Sequence, residues 1–504
     1  MALQHDYDVV VIGAGLGGLL SAAQFLRRGQ RVVVVERLAH PGGRFTAKTF
    51  QGAQVSTGAV HMLPFGSNGE LAGMLRALAV PHHVHDAEVF ASFHVRGRQF
   101  VCRSILQLAG VLGPRQFGEF LRLGGAMALR TPRQDERGQT FAAWLEQRVS
   151  KARSPELYAY FERICHFALS VDLTDVSYAE IRETTKNMFR YGAPGIVEGG
   201  CAAVTGALEQ RVLEGGGELR LQHEVLAIEH TGAAVTGVRI RDKRGGEELV
   251  LRAPLVISNI GPEATQRLTA RGETQRTLVS AAAGGMAAGR DDATEAHGDA
   301  AAPAQRGPLG ASAGLRQASG LKVHLLSDVS VVPHKGIMYC LDTERIAGIV
   351  QPSNSDRRLA PPGKHLLITH QLMRGEDVNA EREAARADLR RLFGADFGTR
   401  VTMLTMSQYR GEWPVNRAVQ GEDVSTATGV AGLYLVGDAV KPSGYLMVEG
   451  VAQSVYALLD ALDGPAPHAH LDPHPHPYPH TPPKPPRRRA LHWLVAPPPP
   501  HAQA

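Results

Sequence analysis

The sequence predicts an α/β fold in which a parallel sheet, covered by helices, is assembled from separated segments of the chain. The first observation is a strand, a glycine-rich turn, a helix and a second strand that follow one another over residues 7–36. The second is a buried strand, 433–436, that ends in Gly437-Asp438. Strand and helix patterns between these segments predict an additional α+β unit with a mixed sheet and helices.

The composition is that of a globular protein. Of 504 residues, 43% are hydrophobic and 20% are charged, which excludes a fibrous or wholly disordered chain. The net charge of +5 is small for this length and does not indicate nucleic acid as a partner. The four cysteines include no Cys-x-x-Cys pair, so we predict no metal site. Because neither a signal-peptide pattern nor an apolar window of roughly 18 residues is visible, we expect a cytoplasmic protein.

The opening segment has the order of a dinucleotide-binding unit. Residues 7–12 are apolar and β-branched, Gly13 to Gly18 form the glycine-rich turn, residues 19–28 have a helical pattern, and residues 31–35 are apolar again before Glu36. The glycines allow a tight turn and a close approach of the backbone to a pyrophosphate, which the helix N-terminus attracts. The Glu36 carboxylate can accept hydrogen bonds from an adenosine ribose.

Three further segments indicate FAD rather than NAD. Pro41-Gly42-Gly43-Arg44 can lie against a diphosphate and a flavin, where the guanidinium donates charge-assisted hydrogen bonds. Asp438, at the C-terminal edge of a parallel sheet, can accept a hydrogen bond from a ribitol hydroxyl. Gly444 to Gly450 lead into a helix whose N-terminal N–H groups can face the flavin ring.

The other elements follow from periodicity. Residues from about 70 to 190 predict a mostly helical region beside a small sheet. Helices are expected at 203–213, 381–393 and 451–462, and strands at 219–221, 225–229, 235–241, 248–251, 255–258, 322–326, 336–340 and 365–370. Residues 281–320 predict a flexible Ala/Gly-rich insertion, and residues 464–504 a disordered tail rich in proline and histidine.

With Gly199-Gly200, Val225 and the strand before Pro262, these motifs resemble flavin oxidoreductases of the phytoene desaturase type. These bacterial carotenoid desaturases belong to the flavin amine oxidase superfamily.

The resemblance implies two domains. A Rossmann-type FAD-binding domain would be assembled from 1–75, 190–265 and 405–462. An α+β substrate domain would come from 76–189 and 321–404.

The resemblance also assigns residues to FAD, which we expect to be bound non-covalently. The glycine block, Glu36 and Val225 would hold the adenosine half, Arg44 would lie near the diphosphate and flavin, and Asp438 would hold the ribityl chain. The expected FAD contacts are Gly13, Ala14, Gly15, Leu16, Gly17, Gly18, Glu36, Arg37, Gly43, Arg44, Val225, Gly437, Asp438, Val448 and Glu449.

The implied reaction is the transfer of a hydride from an apolar polyene or isoprenoid, of the carotenoid kind, to flavin N5. Desaturation, or a related isomerisation or saturation, would result, and oxygen or a quinone would take the electrons. A long apolar channel would align one C–C bond with the flavin. Its candidate lining residues are those of segment 104–129 with Trp144, Phe161, Phe167, Met188 and Phe189, each of which also fits a core position.

Three residues are expected to be catalytic. By resemblance, His61 lies near the flavin ring, where it could move a proton near neutral pH or act as a hydrogen-bonded structural histidine. Lys441 and Glu449 flank the predicted flavin edge, as catalytic groups or as helix-terminal or solvated charges.

Two alternatives stay open. An FAD-dependent amine oxidase would need an aromatic wall, for which Tyr409, Trp413 and Tyr445 are the candidates. A protein that binds flavin without catalysis would need none of the catalytic groups. Arg487-Arg488-Arg489 and the apolar stretch 490–495 are compatible with a peripheral contact at the inner face of the membrane.

Overall fold

The computed structural model describes residues 5–58, 60–130, 133, 136, 138–272 and 315–463. In chain order its strands are β1 (Val9–Ile12), β2 (Val32–Glu36), β3 (Ala47–Phe50), β4 (Ala53–Ser56), β5 (Met62–Leu63), β6 (Val84–Asp86), β7 (Ala91–Val95), β8 (Arg98–Cys102), β9 (Gly195–Val197), β10 (Glu218–Leu221), β11 (His223–His230), β12 (Val235–Asp242), β13 (Glu248–Arg252), β14 (Leu255–Ser258), β15 (Gly320–Ser327), β16 (Ile337–Cys340), β17 (Gly348–Val350), β18 (His365–Leu372), β19 (Val401–Tyr409) and β20 (Leu433–Leu435).

The helices are α1 (Leu16–Arg27), α2 (Glu70–Ala77), α3 (Leu108–Leu129), α4 (Phe141–Glu146), α5 (Pro155–Ile164), α6 (Tyr178–Tyr191), α7 (Gly200–Glu214), α8 (Val378–Phe393) and α9 (Met447–Asp463). A further helical segment covers residues 262–272. Among the described residues no helix is both long and apolar enough to cross a membrane.

One half of the protein is built on a five-stranded parallel sheet with the order β10-β2-β1-β14-β20. Its strands come from three separated stretches of the chain. The short β-branched runs are buried on both faces, as expected for a parallel sheet between two layers. Val9 and Val11 pack against α1, α2, α7 and α9, whereas Val10 and Ile12 face the antiparallel sheet β11-β12-β13.

The other half is built on a seven-stranded sheet with the order β19-β15-β18-β17-β16-β7-β8. Only the pairing of β16 with β7 is parallel among the described strand pairs of this sheet. Leu321, Val323 and Leu325 of β15 pack on the side of α8. Residues 322 and 324 therefore point to the opposite face, because side chains alternate along a strand.

The predicted α/β fold class is confirmed, and the structure adds details. The hairpin β3-β4 and the small sheet β5-β9-β6 have no counterpart among the predicted strands. Because β19 pairs with β15 as far as Tyr409, the seven-stranded sheet continues past the predicted domain boundary at 404.

The limits of the predicted insertion also differ from the structure. Its last residues, 315–320, are described, and they include Ala318, which pairs with Asn416, and Gly320, which begins β15. Residues 281–314 and the tail at 464–504 lie outside the described residues.

Candidate active site

A cleft of about 940 Å³ runs along the carboxyl ends of the five-stranded sheet. This edge of a parallel α/β sheet is where ligands bind, since the loops that follow the strands open there. Ile12, Glu36, Asn259 and Gly437 lie at or just after the ends of four of the strands and line the cleft. The other wall comes from β15, β19 and the loop after β19.

The glycine turn between β1 and α1 has no room for side chains. Gly13 has a φ of +91°, which strongly favours glycine. A Cβ at Gly18 would lie 2.0 Å from the carbonyl oxygen of Gly13. At Gly15 and Gly17 a Cβ would come within 2.6 and 2.7 Å of the Asn259 amide. The glycines therefore let the turn pack closely against α1 and Asn259, and the N-terminus of α1, where an anion is favoured, lines the cleft.

Glu36 is buried at the end of β2 and is fixed by the backbone. One carboxylate oxygen accepts the N–H of Ala14 at 2.8 Å, and the other accepts the N–H of Leu38 at 2.9 Å. Each oxygen keeps a lone pair for a further donor such as a ribose hydroxyl. Val225 and Arg37 line the same end of the cleft, and Arg37 is exposed and pairs with Glu412 at 3.3 Å.

Arg44, Asp438 and Arg417 form a charge cluster in the middle of the cleft. The Arg44 guanidinium donates to Asp438 at 2.7 Å and to the carbonyl oxygens of Pro414 and Val415 at 2.9 and 2.8 Å. Arg417 donates to Asp438 through its backbone N–H at 2.8 Å and its guanidinium at 3.3 Å. Two cations share one carboxylate, so the cluster carries a net positive charge.

The charges in this cluster shift one another's protonation. Burial alone would raise the pKa of Asp438, but the two guanidinium groups outweigh it and hold that pKa well below its ordinary value. Burial, with the repulsion from Arg44, lowers the pKa of Arg417 to about 10. Asp438 and Arg417 are thus both charged at neutral pH.

A buried lysine lies on the β15 side of the cleft. Lys322 is only 2% exposed, and its ammonium nitrogen lies 4.5 Å from the centre of the Tyr409 ring. Burial, with a smaller contribution from Arg44, lowers its pKa from 10.5 to about 7. Lys322 can therefore gain or lose a proton near neutral pH. Phe45, Gly58, Met447 and Val448 also line the cleft, and we call these four residues together with Lys322 and Tyr409 the inner end.

The helix α9 begins at this inner end. Met447, its first residue, has a φ of +41°, and Met447, Val448 and Val451 all line the cleft. A helix of this length places the positive end of its dipole and its free N–H groups at the first turn.

The sequence profile of the family described as flavin containing amine oxidoreductase matches residues 16–455. The chain belongs to this family. An oxidoreductase from Methanosarcina mazei, whose crystal structure is known, shares 32% identity and a TM-score of 0.75, over 90% of this chain and 99% of that one. The uncharacterized protein MJ1488 of Methanocaldococcus jannaschii is 29% identical over 90% of this chain and 98% of its own length.

Two more distantly similar proteins are named for different reactions, an isomerisation and an oxidation. Prolycopene isomerase of Daucus carota is 36% identical over 75 residues, which are 15% of this chain and 12% of the isomerase. Putrescine oxidase bound to putrescine has a TM-score of 0.59 at 14% identity, over 91% of this chain and 99% of that one, and shows the shared fold alone.

The cofactor of this family member is FAD, and the cleft fits it. The glycine-rich turn and the positive cluster can bind a diphosphate, and Glu36 can accept hydrogen bonds from a ribose. The N-terminus of α9 can lie against the electron-rich edge of the flavin ring. The expected FAD contacts that line the cleft are Gly13, Gly15, Leu16, Gly17, Glu36, Arg37, Gly43, Arg44, Val225, Gly437, Asp438 and Val448. Ala14 and Gly18 lie in the same turn, where Ala14 fixes Glu36 and Gly18 packs against Gly13.

The structure places Glu449 away from the cleft. The side chain is fully buried and accepts the backbone N–H groups of Phe65 and Leu71, at 3.3 and 2.8 Å. It therefore joins α9 to the start of α2 instead of contacting FAD, because consecutive helix residues point in different directions. Burial raises its pKa from 4.5 to about 7.

His61 and Lys441, the other two expected catalytic residues, also have structural contacts. His61 is buried, its Nε2 donates to the Gln54 carbonyl oxygen at 2.9 Å, and its Nδ1 accepts the Cys201 N–H at 3.1 Å. Burial lowers its pKa to about 4, so the ring stays neutral. Lys441 donates to Asp423 at 2.7 Å and to the Asp438 carbonyl oxygen at 3.1 Å, outside the cleft lining.

The aromatic candidates divide between cleft and core. Tyr409 and Trp413 line the cleft, whereas Tyr445 packs edge-on against Phe65. The channel candidates lie elsewhere: Trp144 stacks on Tyr178 with ring centres 4.3 Å apart, and Phe189 is 52% exposed. Phe161, Phe167 and Met188 belong to the same apolar cluster as Trp144, as does most of the buried part of segment 104–129.

Sequence reasoning missed Lys322 and Arg417. Lys322 carried a signal, since a lysine between the apolar residues Leu321 and Val323 of a buried strand is costly to bury without a purpose. Arg417 lies in an irregular loop, and its pairing with Asp438 depends on contacts between segments that no local pattern encodes.

Proposed function

We propose that the protein acts on a neutral, apolar substrate of the polyene or isoprenoid class, which it oxidises by desaturation or converts by a related isomerisation or saturation. The observation that carries this proposal is the charge of the inner end. Apart from Lys322, the residues that define it are apolar or aromatic, and its charged neighbour is Arg44, which lies beside Gly58 and whose charge helps to lower the pKa of Lys322. The acidic groups that line the rest of the cleft all have partners: Asp438 is paired with two arginines, and Glu36 accepts two backbone N–H groups. Glu224, Glu263 and Glu412 are each paired with one arginine.

This charge pattern favours a neutral substrate over an amine. A substrate ammonium needs a carboxylate or an electron-rich cage to offset its desolvation. Next to Lys322 and Arg44 it would instead meet positive charge, which is repulsive at short range in a low-dielectric site. A hydrocarbon has no such electrostatic cost and gains from the apolar walls.

FAD, when bound, supplies the acceptor for a hydride. The chain's own residues must position the substrate and manage the accompanying proton. Lys322 supports this role because its Nζ is buried at the inner end and holds its proton weakly. Its neutral form above pH 7 can accept a proton lost from a substrate carbon, and the Tyr409 ring keeps the side chain in place. His61 has no nitrogen left for this task.

The comparisons support both the leading proposal and its alternative. The partial match to prolycopene isomerase favours an isoprenoid substrate, whereas the fold shared with putrescine oxidase is equally consistent with an amine. Tyr409 and Trp413 are the observation that favours the amine alternative, because both rings line the cleft. We propose oxygen or a quinone as electron acceptor, and a cytoplasmic enzyme that collects its substrate at the inner face of the membrane.

Product chemistry distinguishes these functions. The FAD-loaded protein is incubated with an isoprenoid polyene in lipid vesicles and, separately, with putrescine, in the presence of oxygen and of a soluble quinone. We expect an extracted lipid product whose absorption lies at longer wavelength, and no peroxide above background with putrescine. Peroxide release with putrescine alone would overturn the proposal in favour of the amine oxidase. Bound FAD with no reaction in either arm would favour a non-catalytic flavoprotein.

A further inference from the structure

We propose that His83, His85 and Glu198 bind a divalent transition-metal ion of the Zn²⁺ class on the outside of the small sheet β5-β9-β6. Each residue offers one ligand atom, and these atoms all lie within 4.8 Å of one another. None of the three lines the FAD cleft, so this site is separate from the one described above. The sequence alone predicts no metal site, and Glu198 is far from the two histidines along the chain.

Strand pairing brings the three side chains together. His83 and His85 flank the first residue of β6, and residues two apart on an extended chain point to the same face. Strand β9 runs antiparallel to β6, with Val84 opposite Val197. The register continues by one residue, since the Glu198 N–H donates to the His83 carbonyl oxygen at 2.9 Å. Glu198 therefore lies directly opposite His83 and diagonal to His85.

Two imidazoles and a carboxylate form a familiar ligand set. Imidazole and carboxylate suit Zn²⁺ and its neighbours, and three protein ligands leave one position for water. The His83 and His85 rings lie with centres 4.5 Å apart, and His85 Nε2 lies 3.6 Å from a Glu198 oxygen. Ligand atoms of a tetrahedral zinc are about 3.3 Å apart, given bonds of about 2.0 Å. Small rotations of these partly exposed side chains would close the difference.

Charged neighbours orient the carboxylate. Arg358 donates to the other Glu198 oxygen at 2.8 Å and to Asp356 at 2.9 Å. Asp356 in turn accepts the N–H of Gly199, at 2.8 Å. This arrangement leaves one Glu198 oxygen directed at His85, as outer partners do for many metal ligands. A bound ion would connect β6, β9 and the turn at 356–358, so we infer a structural ion that stabilises this junction.

The test uses the full chain, titrated calorimetrically with Zn²⁺ at pH 7.5. The variants are the double variant H83N/H85N, E198Q, and H82N as a matched control. His82 is the neighbouring histidine, but it is not part of the cluster, and its Nδ1 bonds to the Val80 carbonyl oxygen. The tail histidines at 468, 470, 474, 476 and 480 are present in every variant, so any binding there is a common background.

The expected result is one tight site in the wild type and in H82N that is lost in the double variant. E198Q should weaken it at least 10-fold, since a carboxamide is a poorer ligand for zinc. A wild-type isotherm in the double variant, or an equal loss in H82N, would overturn the proposal. Thermal unfolding provides a second readout: saturating Zn²⁺ should raise the melting temperature of the wild type and of H82N by several degrees, and EDTA should reverse it. An equal rise in E198Q would contradict the proposal even if the double variant does not fold.

Discussion

The two walls of the FAD cleft differ in how their buried charged groups are paired. On the parallel-sheet wall the buried carboxylates have fixed partners: Asp438 lies between Arg44 and Arg417, and Glu36 between two backbone N–H groups. On the wall formed by the seven-stranded sheet, Lys322 is buried against the ring of Tyr409, and burial moves its pKa to about 7. Paired charges keep their protonation and suit a bound cofactor, whereas a weakly held proton suits chemistry.

The largest expected effect comes from removing the Lys322 amine. Lys322→Met should lower the rate of flavin reduction by the substrate about 10²- to 10⁴-fold, the usual contribution of a general base. The variant should keep its FAD content, because Lys322 is not part of the paired cluster. Lys322→Arg should not restore the rate, since a guanidinium does not release its proton. Stopped-flow absorbance measures the rate, and an unchanged rate in K322M would remove Lys322 from the mechanism.

The paired wall is tested by breaking its central ion pair. Arg44→Ala should weaken FAD binding roughly 100-fold, because it removes a buried partner of Asp438 and the contacts to the loop at 414–415. The matched control is Arg37→Ala, which removes an exposed arginine that also lines the cleft. Its loss should stay within about 5-fold. Titration of the apoprotein with FAD measures both, and equal losses would contradict the contrast between buried and exposed charge.

The pH dependence of the rate of flavin reduction tests the difference between Lys322 and the paired charges of the other wall. In the wild type the rate should rise about tenfold per pH unit below pH 7 and level off above it, because Lys322 must lose its proton before it can accept one. The profile should lose this rise in K322M. His61, whose pKa lies at about 4, cannot produce an inflection near 7. Single-turnover rates from pH 5.5 to 9 measure the profile.

The smallest expected effect on activity concerns Glu449. Its folded-state pKa of about 7 lies above the ordinary 4.5, so the native state binds more protons than the unfolded state between these values. Stability should therefore fall as pH rises from about 4.5 to 7, by an amount on the order of 2 kcal/mol. Glu449→Gln should flatten this slope and change turnover less than 3-fold. Chemical denaturation at several pH values measures the free energy of unfolding. A large loss of turnover in Glu449→Gln would instead show that Glu449 is a catalytic residue.

Much of the fold follows from local patterns. The β-branched runs of β1 and β2 and the glycine turn between them specify a βα unit, and the strand before Gly437-Asp438 specifies its distant neighbour. The hairpin β3-β4 was missed because its strands are short and mostly polar on one side. The extent of β19 was missed because all residues between its two buried ends are exposed or partly exposed, so the strand has no apolar pattern.

The site was predictable where one motif carries the chemistry. Glu36, Arg44 and Asp438 line the cleft as expected, since each follows directly from a strand or a glycine turn. The sequence predicted Lys441 and Glu449 beside the flavin because both lie close to the last cofactor strand. In the structure Lys441 pairs with Asp423, and Glu449 accepts the N–H groups of Phe65 and Leu71. Lys322 depends on packing between the two halves, which a linear pattern does not report.

The most direct test of the central claim is an anaerobic titration of the FAD-loaded protein, followed by its visible flavin absorption. The candidates are an isoprenoid polyene in vesicles and putrescine in solution, at matched concentrations. We predict that the polyene bleaches the flavin and that putrescine does not. The reason is that a cationic substrate at the inner end would meet Lys322 and, among the described residues there, no carboxylate. Bleaching by putrescine, with the polyene inert, would contradict the account.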